Sequence, residues 1–372
     1  MQQVNAAVAA GTWPIAYNAQ YLYSWGQNNN GQLGLGNTTA YSSPKQVGSL
    51  TNWLNIAAGY YFSVGVKTDG TIWSWGKGTN GALGLGNTTN YSSPKQIGAL
   101  TSWLNVSCGG YFVTAIKTDG TLWSWGQGTR GQLGLGNNTN YSSPKQVGSL
   151  TTWYNTSCGT YFAVAIKTDG TLWTWGQNNN GQLGIGNITY YSSPKQVGSL
   201  TTWSKVSNHT TGTFAVKTDG TLWSWGLNTY GQLGLGNTTS YSSPKQVGAL
   251  TSWLTPSGES SSSAVIKTDG TLWSWGQGAN GKLGLGNITD YSSPKQVGAL
   301  TNWSKVAGAI AGGQNRLAIK TDGTLWSWGG NGSGKLGLGN TTSYSSPKQV
   351  GALTAWLVIA TNYSQSLAIA NT

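Results

Sequence analysis

Acid is what this chain lacks most. Of 372 residues only eight are Asp or Glu, against 20 Lys or Arg, and charged residues make up 8% of the whole. There is one histidine, His209, one methionine, and two cysteines, Cys108 and Cys158. So few His, Cys and carboxylate groups leave little material for acid–base chemistry or for a metal site with ligands at short spacing. No stretch approaches the roughly 18 apolar residues of a membrane span. The opening MQQVNAAVAAG lacks the basic start and long apolar core of a secretory signal. The cysteines stand one repeat apart. Equivalent points on packed sheets are about 10 Å apart, beyond disulfide reach, so they read as small buried residues.

What the chain has in excess is tryptophan (21) and glycine (57), and both recur at fixed places. The segment SWG-x4-G-x-LG-x-GN carries its second tryptophan at Trp25, Trp75, Trp125, Trp175, Trp225, Trp275 and Trp328, every 50 residues with a last step of 53. A period of that length means a propeller or a solenoid, because one repeat cannot bury its own faces. Within a repeat, Ser63 to Lys67 and Thr71 to Trp75 read as strands joined by Asp69-Gly70, a two-residue hairpin signal. Ser92 to Gly98 and Leu104 to Ser107 read as two shorter strands, with Pro94 at an edge. Four short strands per repeat make a propeller blade.

The seventh KTDG turn is missing where the chain reaches Ala370-Asn371-Thr372. Its returning strand stands at the other end, as Tyr21 to Gly26. The expectation is an all-β, seven-bladed propeller over 21–372, closed by antiparallel pairing of residues 21–26 with residues near 364–370. Residues 1–20 fall outside the pattern. They form an uncharged extension with Trp13 and Pro14 as its anchor, expected to dock either on its own propeller or on a neighbouring subunit, in the second case as an assembly arm in a homo-oligomer or particle.

GQNNNGQLGLGN (26–37), AIKTDGTLWSWG (115–126) and SCG (107–109) resemble the regulator of chromosome condensation repeat. The resemblance covers residues 21–372 and implies a seven-bladed propeller. The near-identical, Asn/Thr/Ser-rich copies look most like bacterial and phage members. The family includes a nucleotide exchange factor for a small GTPase, which works through an inserted wedge and loop acids that have no counterpart here. It includes a plant photoreceptor with a G-W-R-H-T motif, whose Trp, Arg and His are absent from Gly59-Tyr60-Tyr61-Phe62-Ser63 and its two equivalents. It also includes a β-lactamase inhibitor that binds through aromatic loop residues on one face, and this mode fits the chain better.

Comparing the copies locates where the chain departs from its own symmetry. YSSPKQ is invariant in seven copies, which puts Lys45, Lys95, Lys145, Lys195, Lys245, Lys295 and Lys348 in a basic ring on an outer strand. The segment before each second strand varies instead. It supplies Tyr60, Tyr61, Phe62, Tyr111, Phe112, Tyr161 and Phe162 in three copies, and His209, Glu259 and Arg316 in later ones. Loops on a rigid scaffold concentrate binding residues and tyrosine is a favoured contact, so these ten are the candidate binding set. For the phenylalanines, packing between blades competes with that reading. A lone histidine roughly a blade width from its nearest cysteine and acid supports no catalytic assignment. The repeated N-x-T at Asn37, Asn87, Asn137, Asn187, Asn237, Asn287 and Asn340 reads as local turn chemistry. The expectation is a non-catalytic binding or structural propeller with no cofactor and no metal, recognising a protein or glycan, with nucleic acid disfavoured. A phage particle or cell surface is the first setting considered, and regulation of a partner enzyme inside a cell the second.

Overall fold

The computed structural model describes residues 19–310 and 312–371. The expected arm, with Trp13 and Pro14, lies outside them. The described residues form 28 strands, β1 to β28 in chain order, arranged as seven four-stranded antiparallel sheets. The first blade is β3 (Trp53–Ala58), β4 (Phe62–Lys67), β5 (Ile72–Gly76) and β6 (Tyr91–Gln96). The first strand of each blade touches that of the next all the way round, so these strands line the axis. The YSSPKQ strand is outermost. Pro94 is tolerated there because β6 is an edge and its register with β5 shifts between Ser74 and Gly76.

Local chemistry explains the repeated residues. In the KTDG hairpin the Thr71 amide and hydroxyl donate to Asp69 (2.9 and 2.6 Å), and the Trp73 indole donates to Thr71 Oγ1 (2.9 Å). Each N-x-T asparagine accepts from the threonine amide two residues on, at 3.0 Å in all seven copies, which is the turn chemistry read from the sequence.

The SWG…G-x-LG signature belongs to two blades at once. Trp75 is fully buried and its indole donates to the Gln32 carbonyl of the preceding blade's loop (2.9 Å). A Cβ on Gly34 of that loop would sit 2.8 Å from the same indole nitrogen. The tryptophan of one blade therefore fits only where the previous loop has glycine.

Closure follows the expected pairing. β1 (Gln20–Gly26) pairs antiparallel with β28 (Gln365–Asn371), in unbroken register from Gln20↔Asn371 to Gly26↔Gln365. The seventh blade thus takes its inner strands, β27 (Trp356–Thr361) and β28, from one end of the described chain and its outer strands, β1 and β2 (Tyr41–Gln46), from the other. Trp25 closes the ring by donating to the Lys335 carbonyl (2.9 Å).

Candidate functional site

Strand directions put two kinds of loop on one face of the ring. These are the turn between the first and second strand of each blade (59–61 in blade 1) and the glycine-rich loop after the third (77–90). The KTDG turns lie on the opposite face. The variable segments therefore share one face around the axis, called here the turn face.

Blades 1 to 3 build a continuous crescent on it. The Tyr60 amide donates to the Gly110 carbonyl, and the Gly110 amide to that of Thr160, both at 3.1 Å. The three turns are thus tied in series. Blade 7 holds the other end, where Ser364 Oγ donates to the Tyr60 carbonyl (2.7 Å) and Asn362 Nδ2 to that of Ala58 (2.6 Å). Gly110 is small because the Tyr60 ring lies over it, with Cε2 at 3.2 Å from where a Cβ would stand. Tyr60 meets Tyr111 and Tyr363 with ring centroids 5.1 and 6.0 Å apart, and Tyr61 meets Tyr363 at 5.7 Å. Tyr60, Tyr61, Tyr111 and Tyr161 all keep part of their surface exposed, and Tyr363 is 42% exposed. Burial pushes the Tyr60 phenol up to about 12, so it stays a neutral hydrogen-bonding group at physiological pH.

Cations sit on the crescent. The Arg130 guanidinium stacks 4.0 Å from the Tyr161 ring centroid and donates to Gln177 Oε1. Lys77 Nζ is 5.4 Å from the centroid of Tyr61. Tyr363, Lys77 and Arg130 were not among the expected contacts. The signal was available, because position 77 is Gln in four other copies and position 130 is Asn in four.

Six of the ten expected binding residues are corrected by burial. Phe62, Phe112 and Phe162 are fully buried between blades, each in the core shared with the next blade. Their rings lie over Gly59, Gly109 and Gly159, where a Cβ would stand about 2 Å away (1.9, 2.1 and 1.9 Å). His209, Glu259 and Arg316 have no exposed surface. Neither ring nitrogen of His209 has a partner among the described residues, and burial holds its pKa down at about 3. Glu259 Oε2 pairs with Arg316 Nη2 (3.1 Å) and accepts from Ser262 (2.6 Å). Arg316 also donates to the Lys282 carbonyl (3.2 Å). Burial raises the Glu259 carboxyl pKa, and Arg316 opposes that rise. These groups tie blades 5 and 6 together beneath the face.

The basic ring is real as geometry. All seven YSSPKQ lysines are exposed on outermost strands, each 5.3–5.7 Å from the ring centroid of its own strand's tyrosine. It runs round the rim, away from the crescent. Both cysteines are buried and free, and burial pushes Cys158 up to about 11. Among the described residues no three His, Cys, Asp or Glu gather in a metal-holding group, and no helix is long and apolar enough to cross a membrane.

A closed ring of seven tandem four-stranded blades, asymmetric and aromatic on one face, defines a repeat β-propeller. The chain belongs to the regulator of chromosome condensation (RCC1) repeat family, whose model matches residues 21–66, 69–116, 119–166, 169–216, 219–255, 269–319 and 322–369. A second model of the same repeat matches 53–82, 103–132 and 155–182. Among curated proteins none matches. Among solved structures, human WBSCR16 is similar at 20% identity and a TM-score of 0.85, over 95% of this chain and 99% of that one. Yeast RCC1 (Prp20) bound to Kap60 is similar at 18% identity and 0.85, over 96% and 90%. Prp20p from Saccharomyces cerevisiae, described with its binding to Gsp1p and histones, aligns at 18% and 0.82, over 95% and 92%. At these identities the likeness is one of fold.

Proposed function

We propose that this protein is a non-catalytic binding propeller that recognises a protein through the tyrosine crescent of its turn face. The observation that carries the reading is the contiguity of Tyr60, Tyr61, Tyr111 and Tyr363, with Tyr161 beside them, on turns locked by backbone hydrogen bonds. Partly exposed tyrosines on a rigid frame supply contact area at little entropic cost. The rings span blades 7 and 1 to 3, a breadth that suits a protein surface better than a single sugar. Of the two settings, regulation of a partner inside a cell has the closer parallels. Yeast RCC1 (Prp20) was solved with Kap60 bound, and Prp20p is described with its binding to Gsp1p and histones. A place on a phage particle or cell surface draws only on the style of the repeats.

The test is to capture a partner with the wild-type protein and titrate it against a Tyr60→Ala/Tyr111→Ala/Tyr161→Ala variant. Affinity should fall by more than about 2 kcal/mol in total, because tyrosines at an interface centre dominate its energy. Undiminished affinity in a variant with an unchanged near-ultraviolet spectrum would rule out the crescent.

A further inference from the structure

The chain's few carboxylates are placed unevenly. Six of the eight are the turn aspartates Asp69, Asp119, Asp169, Asp219, Asp269 and Asp322, on the face opposite the crescent. The other two are already engaged. Glu259 is buried against Arg316, and Asp290 accepts from the Gly278 amide (2.8 Å), the task Asn90 and Asn140 perform in their blades.

The turn face carries cations instead, at positions where most copies have none. Lys77 and Arg130 stack on the crescent. Lys335 Nζ donates to the Tyr363 carbonyl (3.1 Å). Lys282 lies just below, 1% exposed, donating to Ser261 Oγ (2.7 Å) and Gln277 Oε1 (2.8 Å). Lys282, Lys335 and Arg316 act on the carboxylate of Glu259, and Asp290 acts on Lys282 as well, so three cations face two carboxylates here. Burial lowers the pKa of Lys282 and Lys335, and Glu259 opposes that fall. Charge held in low dielectric beneath a surface projects its field outward.

Resting on the reading that the turn face is the binding face, we propose that its partner is a protein with an acidic surface. Partner carboxylates would meet Lys77, Arg130 and Lys335, and its apolar groups would cover the tyrosines between them. A nucleic acid would find its longest run of lysines on the rim, not on this face, and the cations here are interleaved with rings at single positions.

The probe is fluorescein-labelled poly-L-glutamate, compared with an oligothymidylate of matched charge by anisotropy at low salt. Two variants lose equal charge: Lys77→Gln/Arg130→Gln/Lys335→Gln on the face, and Lys95→Gln/Lys195→Gln/Lys295→Gln on the rim. Poly-glutamate should bind about tenfold more weakly to the face variant and within about threefold of wild type to the rim variant, since local charges decide complementarity. Equal weakening in both variants overturns the proposal. So does oligothymidylate binding more tightly than poly-glutamate through the same face residues. The captured partner separates this from the underlying reading. If the tyrosine variant loses that partner and the face-charge variant keeps it, the binding face stands and the acidic partner falls. If neither variant loses it, the binding face itself falls.

Discussion

At the scale of single residues, the chain solves one packing problem in two ways. In blades 1 to 3 a phenylalanine ring lies over a glycine three residues before it. In blade 4 the two change places, so that His209 occupies the glycine position and Gly212 the phenylalanine position. A Cβ on Gly212 would stand 2.1 Å from His209 Nε2. His209 is thus a core ring with a titratable group attached, and the fold keeps it neutral. The unfolded chain takes up that proton near pH 6.5, the folded protein only near 3. Between those values the unfolded state binds more protons, so stability falls as pH is lowered from about 6.5 towards 3, by roughly 1 kcal/mol per unit. His209→Phe should remove this component. Urea unfolding of both proteins at pH 7 and pH 5 checks it. If the two lose the same stability between those pH values, His209 is not held neutral in the core.

At the scale of an element, the KTDG hairpin and the link that follows the outermost strand show that glycine recurs for two separate reasons. Gly120 has φ +76°, and a Cβ there would also press to 2.1 Å from the Thr151 carbonyl of the next blade. Gly148 has φ +63° with nothing within 4 Å of the added atom. Gly148→Ala should therefore cost about 1 kcal/mol, the price of a left-handed backbone alone. Gly120→Ala should cost about 2 kcal/mol or more, because the neighbouring backbone must also move. Denaturant midpoints of the two variants decide this, and equal shifts would mean that the hairpin does not bear on the next blade. The hairpin itself was legible in the sequence, since its Asp-Gly turn is local chemistry. The second constraint was not, because Thr151 approaches Gly120 only when blades pack.

At the scale of the whole molecule, stability rests on closure. The β1–β28 pair carries Leu22, Leu367 and Ile369, all fully buried, and every residue from Gln20 to Gly26 has a partner across it. Deleting residues 365–371 should remove the neighbour of both β1 and β27 and lower the unfolding free energy by several kcal/mol. Guanidinium unfolding followed by tryptophan fluorescence gives the measurement. A midpoint unchanged by the deletion would show that the ring does not depend on this seam. The expected closure was readable because a missing turn at one end and a surplus strand at the other are complementary in a strictly periodic chain.

The sequence by itself determined the seven blades, their four-stranded make-up, the hairpins, the asparagine turns and the closing pair. These follow from periodicity and from interactions spanning a few residues, and repetition makes each one visible seven times. It also determined which positions break the symmetry. Only the tertiary structure decided what each break does. Phe62, His209, Glu259 and Arg316 vary beside the same turns as the tyrosines, yet they point into the seams between blades, where a ring or an ion pair must fill a gap. Tyr60, Tyr61, Tyr111 and Tyr161 point outward and are joined by Tyr363 from the closing blade. Lys77 and Arg130 come to them from a different loop. The direction of a side chain at a strand end, and its neighbours in the next blade, depend on how the sheets stack around the axis, which no single repeat encodes.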